Sequence, residues 1–576
     1  MLPPACHPPT LPTFAGVKLP KSISLLPLLA LLTLLAGPAR FAAAQQLPGR
    51  PAFTRADSLR GGQGPLRTCY DLNYYHLDVR LDVARRFLSG SNRFRFTAAE
   101  DFTRLQFDLF ANLKVERVLY WGKELSFTRE TNAVFVTFPQ PIQKGRRDEF
   151  TVYYSGFPTV AKKAPWDGGL VFAQDAAGRP WAATACQGVG ASIWWPCKDQ
   201  QADEVDSMLI SVSVPKGLKD ISNGRLRKTT KLRDGYTRFD WAVGSPINNY
   251  AVALNVGDYQ HLSGGVYEGE KGPLTLDYWV LPENLAKAKT HFAANVRPML
   301  KSMEHWFGPY PFYEDGYKLV DAPFLGMEHQ SAVAYGNHYQ NGYLGQDRSA
   351  TGWGLKWDFI IIHESGHEWF GNNLTTRDIA DMWVHESFTT YSEALFVESQ
   401  FGKAAAQEYI HGQRRNIQND APIVGSYGVN KGGSSDMYDK GSNLLNMLRV
   451  VIDDDEKWRR LLRGLGSTFY HQTATGQQVI DYFNRESGQN LTPIFDQYLR
   501  HISLPVLEIR FDQGQALARW VAAVPGFDMP ARLRLKGGAY QLLPVSTKFK
   551  PLNLPGATRD NLEVDTLNFY IGLLVE

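Results

Sequence analysis

The chain has 576 residues, 44% of them hydrophobic, which is the composition of a folded globular protein and excludes a disordered one. Lys plus Arg number 61 and Asp plus Glu 58, a formal charge of +3 with no long single-sign block, so nothing points to nucleic acid as a partner. At roughly 100 to 200 residues per domain, this length predicts three or four structural units.

Lys18 and Lys21 precede an apolar run from Ile23 to Ala36, followed by Gly37, Pro38 and the small residues Ala42, Ala43 and Ala44. That order is the order of a secretory signal peptide over residues 1–44, and it predicts export to a periplasmic or extracellular location. The apolar run is short for a membrane span and no later segment reaches eighteen apolar residues, so no stable span is expected after cleavage. Export would leave Cys69, Cys186 and Cys197, an odd number that cannot form a closed disulfide framework. A Cys186 to Cys197 bridge and free buried cysteines are both compatible with the sequence.

Residues 45–66, with Gln45, Gln46, Pro48, Gly49 and further turn formers, read as a linker. Strand periodicity follows over residues 67–250. At 74–83 the alternation puts Leu77, Val79, Leu81 and Val83 on one face, and similar runs recur at 105–109, 133–138, 150–154 and 208–214. The expectation is a large N-terminal β domain. Residues 251–500 predict helices over 285–307, 355–370, 380–400, 404–415, 441–451, 458–465 and 476–488, with short strands at 317–320 and 332–334. Period two returns at 507–511, 531–535 and 542–545, so residues 501–576 predict a small C-terminal β-sandwich.

Within the helical unit stands His363-Glu364-Ser365-Gly366-His367. Positions four apart share a helix face, so both imidazoles can reach one ion, and Glu364 can address a water there without being a ligand. Glu386 lies on the next strong helix, and turn formers from Gly371 to Asn373 can reverse the chain between the two. Two histidines and one carboxylate leave a tetrahedral zinc an open position, the arrangement of a catalytic centre. Glu393, seven residues beyond Glu386, is either a hydrogen-bond partner of a ligating imidazole or an exposed solubilising group. His385 reads as a bystander.

The eighteen residues between His367 and Glu386, and the segment Trp383-Val-His-Glu-Ser-Phe-Thr-Thr-Tyr, resemble the M1 family of zinc aminopeptidases, which are gluzincins. The resemblance implies a thermolysin-like catalytic domain behind a saddle-shaped β domain, and one Zn2+ held by His363, His367 and Glu386. Leu325-Gly326-Met327-Glu328-His329 resembles the family's Gly-Ala-Met-Glu-Asn exopeptidase motif, departing at Leu325, Gly326 and His329. It implies that Glu328 binds the free α-amine. Met437-Tyr438-Asp439-Lys440-Gly441 resembles a second family segment and implies Tyr438 as donor to the oxyanion. Thr184-Ala-Cys-Gln-Gly resembles the segment closing over the amine site, where Gln187 contacts the amine or the adjoining backbone. The resemblance covers residues 67–500 well and the last β unit more weakly. Many members of that family carry a large C-terminal helical domain; the sequence up to Glu576 predicts only the small β unit in its place, and the expectation is more open access. The expected function is a zinc-dependent aminopeptidase acting on peptides with a free N-terminus, with a zinc endopeptidase or a noncatalytic peptide-binding protein as the rival readings.

Overall fold

Residues 53–576 are described by a computed structural model, and the expected signal peptide lies outside them. The alternation at 74–83 belongs to the strand Tyr70–Asp82, which buries Leu77, Val79 and Leu81 completely. That strand pairs antiparallel with Phe87–Ala98 and parallel with Ser207–Pro215 inside an eight-stranded sheet. A four-stranded and a three-stranded sheet complete the N-terminal β domain. Its core gathers Phe94, Phe107, Trp194 and Trp195, among others.

The linker reading requires correction from residue 55 onward. Arg55–Gly61 is a helix opened by a capping box: Thr54 accepts from the Asp57 backbone N–H, and the Asp57 carboxylate accepts from that of Thr54. Leu59 packs on Ala133 and Phe135 of the β domain. Arg67, just past the expected linker, is buried and donates to Asp108 Oδ2 at 2.5 Å. The turn-rich composition of the segment hid a short cap signal and one anchoring leucine.

A hairpin, Gln260–Gly269 with Gly272–Val280, opens the five-stranded sheet of the catalytic domain, which continues through Tyr317–Asp321 and Val333–Tyr335 to the edge strand Gly326–Met327. Alternation along these strands divides their side chains between two cores. Leu319, Val333 and Tyr335 join the helical core, whereas Val320, Ala334 and Met327 join that of the β domain. These three short strands thus form a wall buried on both faces, whereas the outer strand Gln260–Gly269 is largely exposed.

Helices Leu285–Phe307, Trp383–Phe401, Lys403–Gln413, Asp439–Ile452, Asp455–Thr468, Gly476–Ser487 and Thr492–Arg500 form the helical part of this domain. The helix expected over 355–370 is shorter, Phe359–Gly366, preceded by a single turn at Trp353–Lys356. Asp358 sets its start, accepting from the Ile361 N–H at 3.2 Å as an N-cap. At its other end the N–H groups of Glu368 and Trp369 bond the carbonyls of Ser365 and Gly366, tightening the chain into a turn.

Residues beyond 500 build a four-stranded and a three-stranded sheet, and Leu507, Ile509, Trp520 and Leu533 share one apolar cluster with the helices. Cys69, Cys186 and Cys197 are all free and buried. Among the described residues, no helix is long and apolar enough to cross a membrane.

Candidate active site

The helix Phe359–Gly366 is buried along its whole length, and it approaches the helix Trp383–Phe401 closely at Gly366. A Cβ at Gly366 would lie 2.8 Å from Ser392 Oγ and 3.1 Å from Thr389 Cγ2. Glycine inside a helix costs about 1 kcal/mol relative to alanine, and here it permits the close approach that brings Glu386 to the histidines. Glu386 Oε2 lies 3.7 Å from His363 Nε2 and 3.4 Å from His367 Nε2.

The opposite ring nitrogens are already engaged. His363 Nδ1 meets Glu393 Oε1 at 2.7 Å, and His367 Nδ1 meets the Phe370 carbonyl at 2.9 Å. Donation from Nδ1 leaves each Nε2 as the nitrogen that turns a lone pair toward Glu386 when a metal cation takes the place of a proton there. Glu386 Oε2 is buried without a hydrogen-bond partner, an arrangement that costs free energy unless a cation meets it. Ligands ~2.0–2.1 Å from one tetrahedral zinc lie roughly 3.3 Å from each other, close to the separations seen here.

Charge argues the same way. Burial opposes protonation of His363, yet Glu386 and Glu393 outweigh it and raise the imidazole to about 10. His367 is raised to about 9 against burial by Glu386 and Glu328. Carboxylates dominate the pocket, so a divalent cation fits both its donors and its electrostatics.

Glu364 is buried beside these ligands, and burial pushes its carboxyl up to about 7 against the pull of His363. Glu328, Glu364 and His367 bring one ligand-type atom each within 4.8 Å of one another. At Gly326, where the family motif has alanine, a Cβ would meet Glu364 Oε1 at 2.9 Å and Ile360 Cγ2 at 2.8 Å. The departure from the motif therefore makes room for Glu364. Gln187 Nε2 donates to Glu328 Oε1 at 2.6 Å and to Glu386 Oε1 at 2.8 Å, tying the β domain to both carboxylates. Tyr438 stands at the start of the helix Asp439–Ile452 with its ring 6.0 Å from that of His363. Burial, with Glu386 and Glu328 nearby, holds its phenol far above the ordinary value, so it remains a neutral donor.

One cavity of ≈ 690 Å³ is lined by Gln187, Glu328, His363, Glu364, His367, Glu386 and Tyr438, which are the seven residues expected from the sequence. Glu393 resolves to the buried alternative: besides His363 it accepts from Tyr409 OH at 2.7 Å and Gln413 Nε2 at 3.0 Å. His385 turns elsewhere, its Nε2 accepting from the Thr376 N–H at 2.8 Å. Four contributors escaped sequence reasoning: the Phe370 carbonyl, Tyr409, Gln413, and Asn372, whose amide donates to the Glu328 carbonyl at 3.0 Å. A main-chain carbonyl carries no residue signature. Gln413, twenty residues past Glu393, has no periodic relation to it.

An HExxH helix facing a glutamate on the following helix, with an acid free beside the ligands, defines a metallohydrolase centre of the gluzincin kind. Comparison with known proteins narrows the class. The model of the peptidase family M1 domain matches residues 293–498, and that of the peptidase M1 N-terminal domain matches residues 72–250. Aminopeptidase B of Rattus norvegicus is 25% identical over 377 residues, covering 62% of this chain and 53% of that protein. Probable aminopeptidase 1 of Saccharolobus solfataricus is 23% identical over 472 residues, covering 77% and 56%. The chain thus spans about half the length of these curated relatives. The crystal structure of an M1 zinc metallopeptidase from Deinococcus radiodurans superposes with a TM-score of 0.65 at 22% identity, covering 78% of this chain and 97% of that one. The chain belongs to peptidase family M1, and membership implies zinc as the metal.

Proposed function

We propose that this protein is an exported aminopeptidase that uses one zinc ion to release N-terminal residues from peptides with a free amine. The observation that carries the exopeptidase reading is the Glu328 carboxylate, buried beside Glu364 and His367 and bonded by neutral Gln187. A fixed carboxylate beside Glu364 and His367 selects a protonated terminus by charge and by position. It seats the first peptide bond, and no later one, over Glu364.

Zinc, when bound by His363, His367 and Glu386, supplies the positive charge that polarises the carbonyl and makes water more acidic. Glu364 takes the proton of the attacking water and delivers it to the departing amine. The Tyr438 hydroxyl donates to the carbonyl oxygen as that atom gains negative charge. Glu393 and the Phe370 carbonyl keep both imidazoles in the ligating tautomer.

The test compares free and N-acetylated forms of the same peptides on the metal-loaded protein. Equal cleavage of both forms would mark an endopeptidase, and no cleavage of either would mark a noncatalytic binding protein. Glu328→Gln is expected to lower kcat/KM for the free forms far more than it affects zinc content. Export follows from residues 1–44 and is checked by the N-terminus of the mature protein, expected at Gln45.

A further inference from the structure

The active-site cavity has two cationic side chains in its wall, Arg348 and Lys431. They occupy opposite flanks. Lys431 follows Asn430, whose amide donates to the Gly188 carbonyl beside Gln187, so it belongs to the amine end. Arg348 belongs to the other end: its guanidinium carbon lies 5.5 Å from the centroid of Phe359, and the Phe359 ring lies 5.2 Å from that of His363. It also lies 5.4 Å over Tyr343. With Glu328 next to His367 and Arg348 reached through His363, a peptide running from its amine past Glu364 meets Arg348 after the scissile bond.

The guanidinium is held but not used up. Its one side-chain bond among the described residues runs from Nη2 to Asp439 Oδ2 at 3.2 Å, and the side chain is 32% exposed in the cavity wall. Five N–H donors in a rigid fork leave an edge free for a second carboxylate, and cation–π contacts with two aromatic rings help keep that fork in place. The two separations in series put the guanidinium within about three extended residues of His363, at ~3.5 Å per residue. The guanidinium–carboxylate hydrogen bond itself spans about one of those steps, which leaves the reach of the chain end in a dipeptide or tripeptide.

We propose that Arg348 is a specificity-determining residue that receives a carboxylate on the leaving side of the scissile bond, foremost the C-terminal carboxylate of a di- or tripeptide. This rests on the aminopeptidase reading above and adds a substrate class to it, short peptides with both ends free.

The experiment uses the zinc-loaded full chain with Leu-Ala, Leu-Ala-Ala and a five-residue homologue, each as free acid and C-terminal amide, and Leu-Glu-amide against Leu-Gln-amide. The acid form of the di- or tripeptide is expected to exceed its amide in kcat/KM at least about tenfold, the scale of one charge-assisted hydrogen bond. That ratio should fall toward one for the longer peptide. Arg348→Met should bring it toward one at every length, and Arg348→Lys should restore part of it. A preference for Leu-Glu-amide over Leu-Gln-amide that Arg348→Met abolishes identifies an acidic side chain as the carboxylate taken.

Acid-to-amide and Glu-to-Gln ratios near one in the parent would overturn the proposal while leaving the aminopeptidase reading intact. Equal loss on acids and amides in Arg348→Met would also overturn it, showing that the pair with Asp439 merely positions the neighbouring Tyr438. If no free-amine peptide is hydrolysed, the aminopeptidase reading fails by itself. Calorimetric affinities of the Glu364→Gln protein for Leu-Ala and Leu-Ala-amide then still report on Arg348.

Discussion

Replacing Glu393 with glutamine keeps the shape of the side chain and removes its charge, which isolates what the carboxylate does for His363. Glu393 is fully buried and accepts three hydrogen bonds, from His363 Nδ1 at 2.7 Å, Tyr409 OH at 2.7 Å and Gln413 Nε2 at 3.0 Å. A primary amide has one accepting oxygen and two donating hydrogens, so with its oxygen toward His363 it requires Tyr409 and Gln413 to turn and accept instead of donate. If the amide oxygen stays with His363, the imidazole keeps its tautomer but loses the anion behind it; if it turns away, the tautomer itself is lost. Outer partners of this kind are worth 10- to 100-fold in metal affinity, or about 1.4 to 2.7 kcal/mol. Zinc affinity is read by competition with a chelating indicator, and thermal melting of the zinc-free protein separates a loss of binding from a loss of fold. A zinc Kd within twofold of the parent in a folded Glu393→Gln protein would refute the reasoning, because the ligating nitrogen would then be indifferent to the group behind it.

Glu364→Gln is expected to keep its zinc and lose about 10² to 10⁴ in kcat, the range for removing a positioned proton carrier, as checked by metal content beside turnover. Tyr438→Phe removes a donor that acts on the developing charge, so kcat should fall by about 10² to 10³ with KM nearly unchanged; a parallel rise in KM would point to ground-state binding instead. Asp108→Ala should destabilise the β domain by about 3 to 5 kcal/mol, since it strands the buried Arg67 guanidinium, and the denaturant midpoint reports it.

The metal site was legible because its chemistry is written in side chains at helical spacing. His363 and His367 are one turn apart, and Glu393 follows Glu386 by two turns, so the face that carries the ligand also carries its support. What the spacing could not show was how near the two helices come. That distance depends on Gly366 lacking a Cβ against Ser392 and Thr389, which emerges only when both helices are in place. Most strands of the β domain were legible for the same periodic reason, Leu77, Val79 and Leu81 being completely buried as alternation requires. The segment 55–66 was misread because composition outvoted a cap: Thr54 and Asp57 mark a helix start, but the glycines and Pro65 around them look like a tether. Arg348 escaped notice because it lies in a polar turn-rich stretch where one arginine has no pattern. Only its cation–π contacts with the rings of Tyr343 and Phe359 bring it into relief.

The departures from the exopeptidase motif look at first like reasons to doubt Glu328, and the wall-like sheet explains why they are not. Glu328 follows an edge strand whose Met327 is anchored in the core of the β domain, while its own carbonyl is held by Asn372. The backbone path at the glutamate is thus fixed by neighbours that do not depend on the altered letters. Gly326 yields space to Glu364, the residue proposed as proton carrier. His329 is wholly buried with both ring nitrogens unpartnered, and burial lowers it to about 3, so it stays neutral and adds no charge beside the amine site. A cationic group there would weaken the attraction of Glu328 for an ammonium ion. The amine selectivity proposed above therefore rests on a carboxylate whose backbone is held by Met327 and Asn372, beside a histidine that stays uncharged.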